Sequence, residues 1–221
     1  MYELILFDLD GTLINTIPLI ISCFEHTYKV LDMPIPSRET IKESIGIPLA
    51  TYIKDQMPAE KQAEFLDIFR DYTNNHLETH VGIFIRVWPI LNYIQELTVP
   101  MGIMTAKRRA ATMVSVDQFE LTPFFQVIQT AEDTKYHKPD ARSILNAVDA
   151  ASDAIGHVIE QKNVLYIGDN TMDVAAANNA NCDCAIVGWT QMDHSKLATS
   201  GTFFWLNEPS DLEKRIRERF K

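Results

Sequence analysis

Leu4-Ile5-Leu6-Phe7-Asp8-Leu9-Asp10-Gly11-Thr12-Leu13 is the stretch from which the rest of the chain can be read. Four apolar residues in an unbroken run predict a strand covered on both faces, the pattern of a parallel sheet sandwiched between helices. The run ends in two carboxylates. With a side-chain period of two, Asp8 and Asp10 point the same way at the strand tip, and Leu9 between them points back into protein. Gly11 then allows a sharp turn. Ligands bind outside the carboxyl ends of strands in open α/β sheets, so two acids here suggest chemistry. An Asp-rich turn, with one Asp capping a helix, uses the same residues. It does not require an apolar residue held between two same-facing acids.

The chain has 221 residues and can bury a substantial core, as one large domain or a domain with an insertion. No apolar run reaches the roughly 18 residues of a membrane span, and the first residues lack the flanks of a signal peptide. Cys23, Cys182 and Cys184 are too few and too unevenly spaced for a disulfide framework. A reducing, cytoplasmic setting is therefore expected. Cys182 and Cys184 read as strand packing, because a closed zinc site needs four ligands. A net charge of -10 argues against nucleic acid as a partner, and nothing indicates a membrane. A small anionic substrate remains compatible, since a local field can oppose the global one. The oligomeric state is not legible.

From Ile17 to about His80 the texture changes to amphipathic helical segments punctuated by Pro and Gly. Pro18 opens a helix with apolar Leu19, Ile20, Cys23, Phe24, Tyr28 and Leu31, which Pro34 and Pro36 end. Ser37 is placed to N-cap a short helix that Gly46 stops. Pro48 and Pro58 open two more. This helical bundle reads as a second domain, residues 15–83, inserted into a core of residues 1–14 and 84–221.

The α/β pattern resumes with a helix from Trp88-Pro89 and a strand at Met101 to Met104 that ends in Thr105-Ala106-Lys107. A helix follows from Arg108 to Phe119, then a strand at Val127 to Thr130 and the segment Lys135 to Asp140. Lys138 stands out there because Pro139 fixes the local backbone and is placed to open the next helix. His137 reads as a bystander. Val164 to Ile167 is another apolar strand, ending in Gly168-Asp169, with Asp173 near the start of a helix from Val174 to Asn179. Strands at Ala185 to Val187 and Phe203 to Leu206 and a helix from Asp211 complete a doubly wound, Rossmann-like parallel sheet of α/β class.

Such a sheet brings Asp8, Asp10, Thr105, Lys138 and Asp169 to one crevice. Two unit charges 4 Å apart repel by about 4 kcal/mol at an effective dielectric of 20, and Lys138 alone cannot offset several such pairs. A divalent cation is implied. All-oxygen ligation with room for water and phosphate fits Mg²⁺ better than zinc.

These segments together resemble the haloacid dehalogenase superfamily of hydrolases, in its phosphatase branch with a small helical cap. FDLDGTL (7–13) matches the first family motif, Thr105 of GIMTAK the second, Lys138 of HKPD the third and GDNTMD (168–173) the fourth. GIMTAKRR and the cap pattern are similar to phosphoglycolate phosphatases and related pyrophosphatases. The resemblance implies that Asp8 attacks phosphorus to form an aspartyl-phosphate and that Asp10 acts as general acid and base. It implies that Mg²⁺ is held by Asp8, the Asp10 carbonyl and Asp169, with Asp173 supporting from behind. Thr105, the Ala106 N–H and Lys138 would bind phosphoryl oxygens, and Thr16 and the turn at Gly46 would contact substrate from the cap.

Asn15 and HKPDA depart from the common family pattern, but neither removes a reacting group. Three other activities use related sites. A phosphoglucomutase-like enzyme often carries Glu-Asp at the fourth motif, where this chain has Gly168-Asp169. A phosphonate hydrolase needs a cap lysine, for which Lys29, Lys42 and Lys54 are available. A non-catalytic protein binding a metabolite or a partner could share the fold.

Overall fold

The computed structural model describes residues 1–45, 47–77 and 80–219. In chain order the elements are β1 (Leu4–Phe7), β2 (Ile14–Asn15), α1 (Ile17–Val30), α2 (Arg38–Ser44), α3 (Leu49–Gln56), α4 (Gln62–His76), β3 (Gly82–Ile83), α5 (Val87–Glu96) and β4 (Met101–Met104). They continue with α6 (Arg109–Gln118), β5 (Val127–Gln129), α7 (Ala141–Ile155), β6 (Val164–Gly168), α8 (Thr171–Asn179), β7 (Asp183–Val187), α9 (His194–Ala198), β8 (Phe204–Leu206) and α10 (Pro209–Arg219).

Six strands form a parallel sheet in the order β5-β4-β1-β6-β7-β8. The chain leaves β1 toward β4 and β5 on one side and returns to β6, β7 and β8 on the other. The reversal of strand order therefore lies at β1, where Phe7 is in register with both Ile103 and Ile167. A crevice opens at such a point because flanking connections leave in opposite directions.

The unbroken apolar run of β1 is buried from Leu4 to Phe7. Ile5 and Phe7 enter a core with Ile90 and Leu91 of α5, Val116 of α6 and Leu212 of α10. Leu4 and Leu6 enter the opposite core with Ile144 and Val148 of α7 and Val174 of α8. Cys182 and Cys184 are free thiols packed into that second core.

The helices α1 to α4 pack around their own centre, where Phe24, Tyr28, Tyr52 and Phe65 meet. Phe24 packs edge-on to Tyr52 and Phe69, with ring centroids 5.0 and 5.1 Å apart, and the Tyr28 and Tyr52 hydroxyls are 2.9 Å apart. Ser37 caps α2 by accepting from the Thr40 N–H. The chain enters and leaves this bundle through β2 and β3, paired antiparallel with Ile14 opposite Ile83.

Helix starts differ from the sequence expectation where a side-chain cap supplies the first hydrogen bonds. Asp140, accepting from the Arg142 N–H, caps α7, so Pro139 lies before the helix and does not open it. Asn170 caps α8 in a reciprocal box with Asp173, which starts that helix at Thr171 and not at Val174. The short helix α9 had no apolar period long enough to announce it.

Candidate active site

The site is assembled from the carboxyl ends of β1, β4 and β6 and the loop before α7. Asp8 follows β1 directly and is buried, and its Oδ2 lies 2.8 Å from Lys138 Nζ. Lys138 is buried as well, and its ammonium also donates to Asp173 Oδ1 at 2.6 Å. One cation thus joins the end of β1, at Asp8, to the first turn of α8, at Asp173, 165 positions apart along the chain. The remaining capacity of Asp173 is also used. Tyr166 donates its hydroxyl to Oδ1, and the Asp169 and Asn170 N–H groups donate to Oδ2 at 2.9 and 3.0 Å.

Asp169, buried at the tip of β6, accepts from Asn170 Nδ2, while its carbonyl accepts from the Thr190 hydroxyl at 2.6 Å. Gly11 makes this approach feasible. Its φ is +83°, and a Cβ added there would stand 2.3 Å from Asp169 Oδ2. Gly168 has the same role toward Asp173, whose Cγ would lie 2.3 Å from an added Cβ.

One carboxylate oxygen from each of Asp8, Asp169 and Asp173 falls within 4.8 Å of the others. Three formal negative charges face the single positive charge of Lys138. Burial pushes Asp8 up to about 7, opposed by Lys138 and reinforced by Asp173. Burial also pushes Asp169 well above the usual carboxylate range, with Asp173 and Asp8 adding to it. For Lys138, burial works downward, but Asp173 and Asp8 outweigh it and hold the ammonium charged. The all-oxygen donors and their uncompensated charge fit a hard divalent cation.

Asp10 stands beside this cluster. Its Oδ1 accepts from the Thr16 hydroxyl at 2.7 Å and from Lys107 Nζ at 2.9 Å. Thr16, expected as a cap contact, is buried ahead of α1 and spends its hydroxyl on Asp10. Thr105 is buried after β4, and its Oγ1 accepts from the Lys107 N–H at 3.2 Å. Ala106 is half-buried between them. Gly46 lies outside the described residues. His137 is half-buried, and burial lowers its imidazole pKa.

A cavity of about 260 Å³ lies between these strand ends and the helical bundle. Asp8, Asp10, Thr16, Thr105, Ala106 and Lys107 form its floor, and α1, α3 and α4 supply its opposite wall. Lys29 and Lys54 are exposed, and Lys42 lines a separate small crevice beside Asp169. Lys107, which the sequence places just beyond the end of β4, was not assigned to Asp10 from the sequence. The signal was its position two residues beyond Thr105. Asn170 was also missed, although an Asn three residues before an Asp at a helix start is a capping-box pattern.

A family model described as haloacid dehalogenase-like hydrolase matches residues 5–187. The pyrophosphatase PpaX of Anoxybacillus flavithermus is 31% identical over 208 residues, covering 94% of each chain. Among solved structures, a haloacid dehalogenase-like family hydrolase from Streptococcus pneumoniae superposes with a TM-score of 0.80 at 22% identity, covering 100% of this chain and 99% of that one. A predicted phosphoglycolate phosphatase from Haemophilus somnus gives a TM-score of 0.80 at 19% identity, covering 97% and 98%. No helix among the described residues is long and apolar enough to cross a membrane.

Proposed function

Because the chain belongs to the haloacid dehalogenase-like hydrolases, as a phosphatase, we propose that it is a cytoplasmic, Mg²⁺-dependent enzyme hydrolysing a small phosphate monoester of the phosphoglycolate kind or, as a variant, the anhydride bond of pyrophosphate. The observation that carries this reading is the placement of Asp8. It is a buried carboxylate at the floor of a cavity, 2.8 Å from a buried lysine and beside a second acid, Asp10.

In this reading an oxygen of Asp8 attacks the substrate phosphorus while Asp10 protonates the departing oxygen. Asp10, then ionised, takes a proton from the water that attacks the aspartyl-phosphate, and phosphate is released with Asp8 regenerated. Thr105, the Ala106 N–H and Lys138 stabilise charge on the phosphoryl oxygens. Asp8, the Asp10 carbonyl and Asp169 would hold Mg²⁺, which when bound supplies positive charge beside the phosphoryl group. Asp173 is the natural support and not a ligand, since both its oxygens are engaged by Lys138, Tyr166 and two backbone N–H groups. Thr16 and Lys107 orient Asp10. The helical segment 15–83 acts as a cap on the core of 1–14 and 84–221, closing over the leaving group and excluding water.

The test is phosphate release from pyrophosphate, phosphoglycolate and sugar phosphates with Mg²⁺ and with chelator, for the native protein and Asp8→Asn. Metal-dependent turnover abolished by Asp8→Asn is expected. Full activity in chelator or in the variant would defeat the reading, and transfer of label between sugar positions would indicate a mutase.

A further inference from the structure

We propose that the physiological leaving group has an apolar body larger than glycolate and carries one carboxylate that pairs with Arg70. This rests on the phosphatase reading above and narrows its substrate to phosphorylated hydroxy acids larger than phosphoglycolate, in place of phosphoglycolate itself or pyrophosphate. The wall that the helical bundle turns toward Asp8 and Asp10 is largely apolar, with Leu19, Phe24, Leu49, Leu66 and Phe69 among its residues. Such a wall gives little to a compact, heavily hydrated anion and favours carbon.

The cations around the cavity decide how much charge the leaving group can bring. Lys107 is engaged by Asp10 at 2.9 Å and Arg108 by Glu132 at 3.3 Å. Among the described residues of the bundle that line the cavity, Arg70 is the one cation, and its Nε is buried with no hydrogen-bond partner. Unlike Lys107 and Arg108, Arg70 is spent on no carboxylate among the described residues, so the part of its guanidinium that lines the cavity is left to meet an anion carried by the occupant. A second phosphoryl group would bring two charges to one arginine. A carboxylate brings one, and the planar fork of Arg matches it.

The experiment compares kcat/KM for the O-phosphates of glycolic, lactic, 2-hydroxyisocaproic and 3-phenyllactic acids, which share the carboxylate and an α-oxygen leaving atom while the apolar body grows. Pyrophosphate and 4-nitrophenyl phosphate are assayed alongside, all with Mg²⁺. Each added methylene that is buried contributes about fourfold. We expect kcat/KM to rise about tenfold to a hundredfold from phosphoglycolate to the larger members, mainly through KM, and to exceed that for pyrophosphate. In Arg70→Gln, the preference for phospho-3-phenyllactate over its carboxamide falls by about tenfold or more, the loss of one charge-assisted hydrogen bond.

A preference for pyrophosphate or phosphoglycolate over every longer member overturns the proposal. So does a carboxylate-to-carboxamide ratio that Arg70→Gln leaves in place. Asp8-dependent hydrolysis of 4-nitrophenyl phosphate with a flat series sinks the substrate assignment alone. Absence of Asp8-dependent hydrolysis of any ester overturns the phosphatase reading and this proposal with it.

Discussion

Gly11→Ala separates backbone strain from the crowding of Asp169, because the protein contains its own control. Gly11 and Gly156 have similar left-handed φ angles, +83° and +70°. An added Cβ at Gly156 meets nothing within 4 Å, whereas at Gly11 it lies 2.3 Å from Asp169 Oδ2 and 2.7 Å from Cγ. A left-handed alanine costs about 1–2 kcal/mol. In a chain of this size each kcal/mol lowers Tm by roughly 2–4 °C. Gly156→Ala, at the end of α7, therefore loses a few degrees and keeps its activity. Gly11→Ala adds overpacking of about 1–3 kcal/mol, because Asp169 is itself held by Asn170 and has little freedom to withdraw. Its Tm falls about two to three times as far. Displacing a carboxylate at the reacting centre by about 1 Å lowers kcat/KM on the order of a hundredfold. Thermal melts and steady-state kinetics of both variants make the comparison. Equal melting losses with full activity in Gly11→Ala would refute the claim that Gly11 exists to admit Asp169.

Asp173→Asn removes one of the two carboxylates that balance Lys138, and should lower stability by roughly 3–5 kcal/mol in urea unfolding; a loss under 1 kcal/mol would show Asp8 to be a sufficient partner. Mg²⁺ at a hundred times its dissociation constant should stabilise the fold by about 2.7 kcal/mol, and Asp169→Asn should diminish that rise in Tm. An equal rise in the variant would place the ion elsewhere. On the far side of the sheet, Asp183 accepts from the Tyr2 hydroxyl at 2.6 Å and pairs with Arg215 and Arg219. Burial raises its pKa, but Tyr2, Arg219 and Arg215 outweigh that and hold it below the usual range. Its stabilising contribution is thus present above the unfolded value near 4 and is lost as pH falls through the lower folded value. Asp183→Asn should be less stable than the native protein at pH 7, and the urea midpoints should converge as the pH is lowered below the unfolded value; a gap that persists in acid would contradict this.

The core was legible because its signals are local. An apolar run broken by acid or hydroxyl marks β1, β4 and β6, and the Pro and Gly punctuation marks the bundle. That Asp8, Lys138 and Asp169 converge was expected from the rule for strand ends in a doubly wound sheet, and the sheet order places them together. Pairings made by docking were not legible. Thr16 was expected, by resemblance, to contact substrate from the cap; it lines the cavity, and nothing in its sequence neighbourhood shows that its hydroxyl turns to Asp10. Arg70 carries no motif that singles it out on its amphipathic helix, and the cavity it lines exists only where bundle and sheet face each other. Helix starts shifted where a side chain supplied the first hydrogen bonds, as Asp140 and Asn170 do.

The account depends most on Asp8 as the phosphorus nucleophile. Acid-quenching the enzyme during turnover of a radiolabelled phosphate ester and mapping the protein-bound label by peptide mass spectrometry tests this directly. Label on the peptide containing Asp8, absent in Asp8→Asn and discharged by hydroxylamine, is the predicted result. Sustained turnover with no protein-bound label, or label on another residue that persists in Asp8→Asn, would contradict it.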